Sequence, residues 1–190
     1  MIRLFAAVGI PEHARAPLEQ LQHGLPGARW RPPESFHITL RYAGEVAESL
    51  ADDLDAELAM VGADTLEIAF AGVGSFDDDG KTRSVWAGVR PNAALEHLAA
   101  RCETGARRAG LRAVKRSFRP HITLAYLREV TPASVGRWIT SHNLFAAPPF
   151  SVESFGLFSS RQTAEGSHYR LERDYPLRSP ASSPRPVRPG

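Results

Sequence analysis

The stretch HITLRYAGEV, His37 to Val46, returns further along the chain as HITLAYLREV, His121 to Val130, with seven of the ten positions unchanged. In an extended strand, side chains alternate between two faces. His37 and Thr39 then point one way while Ile38 and Leu40 point the other, and His121 and Thr123 divide from Ile122 and Leu124 in the same manner. Each copy is thus a strand with an apolar side for a core and a His-Thr side for something else. By the same alternation Arg41 shares the face of His37 and Thr39, and its counterpart in the second copy is Ala125.

The duplication extends beyond these residues. Before the first copy the pattern predicts a strand over 2–9, a helix over 12–23 with Leu18 and Leu21 inward, and a short strand over 28–31. The motif strand runs over 36–42 and Gly44 turns the chain. A helix over 47–61 carries Leu50, Leu54 and Leu58 on one face, and a strand covers 65–71. The polar segment FDDDGKTR, Phe76 to Arg83, with Asp79-Gly80 as a turn, divides the chain. The second half then reads as a strand over 84–90, a helix over 93–109 capped by Asn92 and ended by Gly110, and a short strand near 112–115. The motif strand at 119–127 and a helix from Thr131-Pro132 to His142 follow, then strands over 150–158 and 168–174. Matching element orders predict two lobes related by a pseudo-twofold axis, with the motif strands facing each other. The expected organisation is one bilobal domain over 1–178, lobes about 1–75 and 84–178 with strand exchange allowed, and a disordered Pro/Ser/Arg tail over 179–190.

Composition excludes several other classes. The 190 residues suffice for one full domain, and 43% hydrophobic with 23% charged residues is ordinary for a soluble globular chain. No apolar run has the length of a membrane span, and the start lacks a cleavable leader pattern, so a cytoplasmic location is expected. One cysteine, Cys102, allows no internal disulfide, and it sits in a helical apolar pattern as core. Positive charge is nearly all arginine, with lysine only at Lys81 and Lys115. Arginine suits phosphate oxygens and stacked bases, and the run Arg107, Arg108, Arg112, Lys115, Arg116, Arg119 leads straight to the second motif.

Two His-Thr faces brought together hold two imidazoles and two hydroxyls. Histidine can accept a proton in one copy and give one in the other near neutral pH. Hydroxyls can hold two oxygens of an anion between them, helped by Arg41. That is equipment for attack at phosphorus: one histidine takes a proton from water and the other protonates the leaving oxygen. A metal site is disfavoured, because neither motif contains Asp, Glu or Cys.

In their context, WRPPESFHITLRYAGEV (Trp30–Val46), FRPHITLAYLREV (Phe118–Val130) and FGLFSSRQTAEGSHYRL (Phe155–Leu171), these motifs resemble the 2H phosphoesterase superfamily. The closer likeness is to its bacterial RNA 2′,3′-cyclic phosphodiesterases, also called 2′-5′ RNA ligases, and it covers about residues 2–177. The resemblance implies two similar α+β lobes whose antiparallel sheets flank a central cleft, with the helices outside. It implies His37 as proton donor to the leaving oxygen, His121 as proton acceptor from water, and Thr39 and Thr123 as phosphate contacts. It also implies opening of a 2′,3′-cyclic phosphate at an RNA or nucleotide end to a 2′-phosphate, without metal or other cofactor, and in some members 2′-5′ joining in reverse. A monomer with no obligatory protein partner is expected. Some relatives carry an arginine five residues past the second histidine. This chain has Tyr126 there, which is retained as a candidate substrate contact, with Arg41 or Arg128 as substitutes for the charge. The alternatives are a phosphodiesterase for 2′-5′ oligonucleotides or small cyclic nucleotides, and a non-catalytic RNA- or nucleotide-binding module using the same cleft.

Overall fold

The alternation expected of the two HITL segments holds for their first three residues and breaks at the fourth. In the computed structural model, which describes residues 1–163 and 166–179, β1 (Ile2–Gly9) pairs antiparallel with β3 (His37–Val46). Gly9 lies opposite His37, Val8 opposite Ile38 and Ala7 opposite Thr39, but the next pair is Ala6 with Arg41. Leu40 is the extra residue of a β-bulge. The second copy repeats the arrangement: β6 (Lys81–Val89) meets β7 (His121–Leu127) with Gly88 opposite His121, Ala87 opposite Ile122, Trp86 opposite Thr123, and then Val85 opposite Ala125. Leu124 is bulged as Leu40 is.

Two strands flank each pair, both beyond β1 in the first sheet and one on either side in the second. The first sheet has the order β10-β9-β1-β3, with β9 (Ser154–Thr163) and β10 (Gly166–Pro176) coming from the end of the chain. The second has the order β2-β7-β6-β5, with β2 (Ala28–Trp30) from the beginning and β5 (Phe70–Asp78) from the middle. Each sheet therefore draws strands from both halves of the sequence. The segment Phe76–Arg83 lies inside one sheet as the tip of the β5–β6 hairpin, where Asp79 and Gly80 both take positive φ, 49° and 69°. A third, two-stranded sheet joins β4 (Leu66–Ile68) to β8 (Phe150–Val152).

The helices cover the faces carrying Ile38 and Ile122, both fully buried. They are α1 (Ala16–Glu19), α2 (Glu48–Ala59), α3 (Ala93–Arg108) and α4 (Pro132–His142). The architecture is α+β with antiparallel sheets, as expected, and Asn92 and Thr131 cap α3 and α4 through their side-chain oxygens. Cys102 is fully buried in α3, and burial pushes its thiol up to about 12. No helix among the described residues is long and apolar enough to cross a membrane.

Three local expectations fail for identifiable reasons. The helix over 12–23 is a 3-10 turn at Glu12–Ala14 followed by four residues of α1, because Pro17 has no N–H and the chain leaves by further tight turns. Leu18 and Leu21 are buried nonetheless. Gly44, at φ 80°, sits in the outer part of β3 beside a second register shift instead of turning the chain. No strand forms near 112–115. There the Arg112 carbonyl accepts from Arg41 Nη2 at 2.6 Å, and the Val114 N–H donates to Glu103 Oε1 at 3.1 Å, so side chains take the backbone groups a ladder would need. The tail expected over 179–190 lies, beyond Ser179, outside the described residues.

Candidate active site

The bulges decide which side chains share a face with the histidines. Because Leu40 is extra, Leu40 and Arg41 both leave the His37–Thr39 face, and Tyr42 returns to it opposite Phe5. Arg41 is thus not where alternation puts it. It is buried at 7% exposure, and each of its nitrogens is engaged: Nε forms an ion pair with Glu103, Nη1 donates to the Tyr42 carbonyl and Nη2 to the Arg112 carbonyl. The Nε–Glu103 contact has ion-pair proximity without hydrogen-bond angles. Arg41 borders the cleft, but its work is to tie β3 to α3 and to the loop after it. Glu103→Gln leaves this guanidinium buried without a carboxylate. It is expected to lower stability by about 2–3 kcal/mol, seen as a lower midpoint in urea unfolding.

Each histidine is held in the same way. His37 Nδ1 lies 2.7 Å from the Ser35 carbonyl, and His121 Nδ1 lies 2.7 Å from the Arg119 carbonyl. A carbonyl oxygen only accepts, so both Nδ1 atoms carry the proton and both Nε2 atoms of the neutral rings are free to take one. Aromatic rings complete the walls. Phe5 and Tyr169 stand 4.9 and 5.0 Å from the His37 ring centre, and Phe76 and Trp86 stand 4.7 and 6.2 Å from that of His121. The glycine opposite His121 belongs to this design. At Gly88 a Cβ would lie 2.4 Å from the Ala71 carbonyl oxygen, so only glycine lets β5 close against β6 beside His121.

β3 and β7 approach each other across the cleft, where a cavity of about 820 Å³ is bordered by Thr39 from the first motif and His121 from the second. Arg116 and Arg119 of the basic run reach the same cavity, as does Phe118. Phe36 is core. Tyr126, 46% exposed, falls on the face of Thr123, as Tyr42 does beside Thr39.

Electrostatics favour neutral rings in the free site. Burial pushes His37 down to about 4; the Ser35 carbonyl opposes this, while Arg31 and His121 add to it. His121 is lowered as well, first by burial and then, against the Arg119 carbonyl, by the Arg119 side chain. Among the described residues there is no group of three or more His, Cys, Asp or Glu placed to hold a metal ion. Reading along the chain misses Phe5, Phe76 and, above all, Arg31. Phe5 and Phe76 have the ordinary signature of strand residues. Arg31, in Trp30-Arg31-Pro32-Pro33, has no local feature that marks it.

Two lobes presenting doubled His-Thr strands to one cleft define a 2H phosphoesterase. The comparisons then fix the family. Residues 10–164 match the model of the 2′-5′ RNA ligase superfamily, and the chain belongs to it. It is 30% identical over 172 residues to the RNA 2′,3′-cyclic phosphodiesterase of Archaeoglobus fulgidus, covering 89% of this chain and 97% of that one. The enzyme of the same name from Thermus thermophilus is 31% identical over 189 residues, with coverages of 93% and 91%. Among solved structures, E. coli LigT complexed with 3′-AMP superimposes with a TM-score of 0.74 at 25% identity, covering 93% of this chain and 98% of that one.

Proposed function

We propose that the protein hydrolyses the 2′,3′-cyclic phosphate at RNA or nucleotide ends to a 2′-phosphomonoester by two-histidine acid–base catalysis. The observation that carries the proposal is the matched pair of imidazoles, each with Nδ1 tied to the carbonyl two residues back and Nε2 free. The named activity of the relatives and the nucleotide bound by LigT support the substrate class.

His121 Nε2 takes a proton from water, the water oxygen bonds to phosphorus, and the bond from phosphorus to O3′ breaks. His37 gives its proton to O3′, while the Thr39 and Thr123 hydroxyls donate to the non-bridging oxygens. With a 5′-hydroxyl in place of water, the same transfers join two ends through a 2′-5′ linkage.

The acid must be charged when it acts, yet His37 is neutral in the empty site at pH 7. A phosphate anion beside it favours the charged ring and raises it. The pH profiles should separate accordingly. In the free protein, protonated His37 is lost as pH rises through its lowered pKa, and neutral His121 is lost as pH falls through its own. The kcat/KM profile for 2′,3′-cyclic AMP is therefore expected to be a bell centred below 6.5, the ordinary histidine value. The kcat profile, set by the complex, should lie at higher pH. Rates measured across pH in both regimes test the reading. A kcat/KM that climbs steadily into alkaline pH with no falling limb contradicts a histidine acid.

A further inference from the structure

Arg31 is a deeply buried cation near the motifs. It follows β2, and its backbone is fastened to the second motif: its N–H donates to the carbonyl of the bulged Leu124 at 2.8 Å. Gln22 Nε2 in turn donates to the Arg31 carbonyl at 2.7 Å and to that of Leu124 at 3.3 Å. The residue is 8% exposed. Its Nη2 donates to the Ser167 carbonyl at 3.1 Å, and Cζ lies 4.9 Å from the ring centre of Tyr169 and 5.8 Å from that of Tyr126. Among the described residues no carboxylate pairs with it.

Arg41 is the informative contrast, equally buried but matched by Glu103. A guanidinium stays charged at any ordinary pH. One carbonyl and two aromatic faces offset only part of the cost of removing that charge from water. A buried cation with no carboxylate partner among the described residues is a place for an anion that binds from solution. The location says which one. Tyr169 stands edge-on to His37, with interplanar angle 87°, and Tyr126 lies on the face of Thr123, so Arg31 reaches rings that border both motifs.

We propose that Arg31 is the anion-binding residue of the cleft, its guanidinium holding a non-bridging oxygen of the substrate phosphate. This deepens the cyclic phosphodiesterase reading and rests on it for the identity of the substrate. The phosphate monoanion gains charge as water attacks, so a fixed cation stabilises the transition state more than the ground state. The electrostatic coupling of Arg31 to His37 fits the same place, since an anion lying between them offsets the lowering that Arg31 adds to that of burial.

The test uses the full chain and two probes, inorganic phosphate in titration calorimetry and 2′,3′-cyclic AMP in turnover. Arg31→Met keeps the stem and deletes the charge. It is expected to weaken phosphate binding at least tenfold and to lower kcat/KM about 100-fold, while the melting temperature stays level or rises because an uncompensated charge is gone. Arg31→Lys should fall between, and free guanidinium ion should recover turnover in Arg31→Ala. Arg31→Met with both phosphate affinity and kcat/KM within about threefold of the parent overturns the proposal. So does a loss that comes with a lower melting temperature and no guanidinium recovery. If the parent protein binds phosphate through Arg31 but turns over no cyclic nucleotide, the anion site stands and the cyclic phosphodiesterase reading falls.

Discussion

His37→Ala and His121→Ala should each lower kcat/KM for a 2′,3′-cyclic nucleotide by between about 10²- and 10⁴-fold, the range of a single positioned acid or base. Neither change should cost much stability. The rings lie among Phe5, Tyr169, Phe76 and Trp86, outside the cluster of core side chains, and each is held by one carbonyl. The double variant should be little worse than either single one, because an acid without its base has nothing to complete. The roles can also be told apart. An aryl phosphodiester, whose leaving oxygen needs no proton, should recover turnover in His37→Ala and not in His121→Ala. The reverse pattern would exchange the two roles. Near-full activity in either single variant would end the two-histidine account.

The next largest effect is expected at the threonines. Thr39→Val and Thr123→Val conserve shape and suit a strand, so β3 and β7 should form as before. Each variant loses one hydroxyl donor to a non-bridging oxygen. Removing one such donor typically costs about 10²-fold or more in kcat. The loss should fall on kcat more than on KM, because charge on those oxygens grows as the transition state is approached. Thr→Ser at either position restores the donor and should return most of the rate. Kinetics on the four variants check this, and a KM effect without a kcat effect would make the threonines ground-state contacts only.

What was legible along the chain was local or repeated. The cap at Asn92, the helix start at Thr131-Pro132 and the Asp79-Gly80 turn are short-range chemistry, and each appears as read. The doubled motif announced a paired architecture because repetition is visible without knowing the fold. The bulges at Leu40 and Leu124 were not legible, since the extra residue is defined only against β1 and β6. They carry a large consequence: strict alternation puts Arg41 beside Thr39, whereas the bulge sends it to Glu103 and brings Tyr42 to the cleft. One signal was present in retrospect. Both copies keep a tyrosine five residues after the histidine, at a position strict alternation assigns to the core side, yet Tyr42 and Tyr126 are exposed. Arg31 was invisible for a related reason. Its neighbours Tyr126, Tyr169 and Ser167 come from strands far along the chain, and no local pattern brings them together.

The central claim is chemical, and product identity tests it most directly. An RNA oligonucleotide ending in a 2′,3′-cyclic phosphate is incubated with the protein in excess EDTA, and the new terminus is identified by mass and by enzymes selective for 2′- or 3′-phosphates. The account predicts conversion to a 2′-phosphate undiminished by the chelator. A 3′-phosphate, a reaction abolished by EDTA, or an unchanged cyclic end would contradict it.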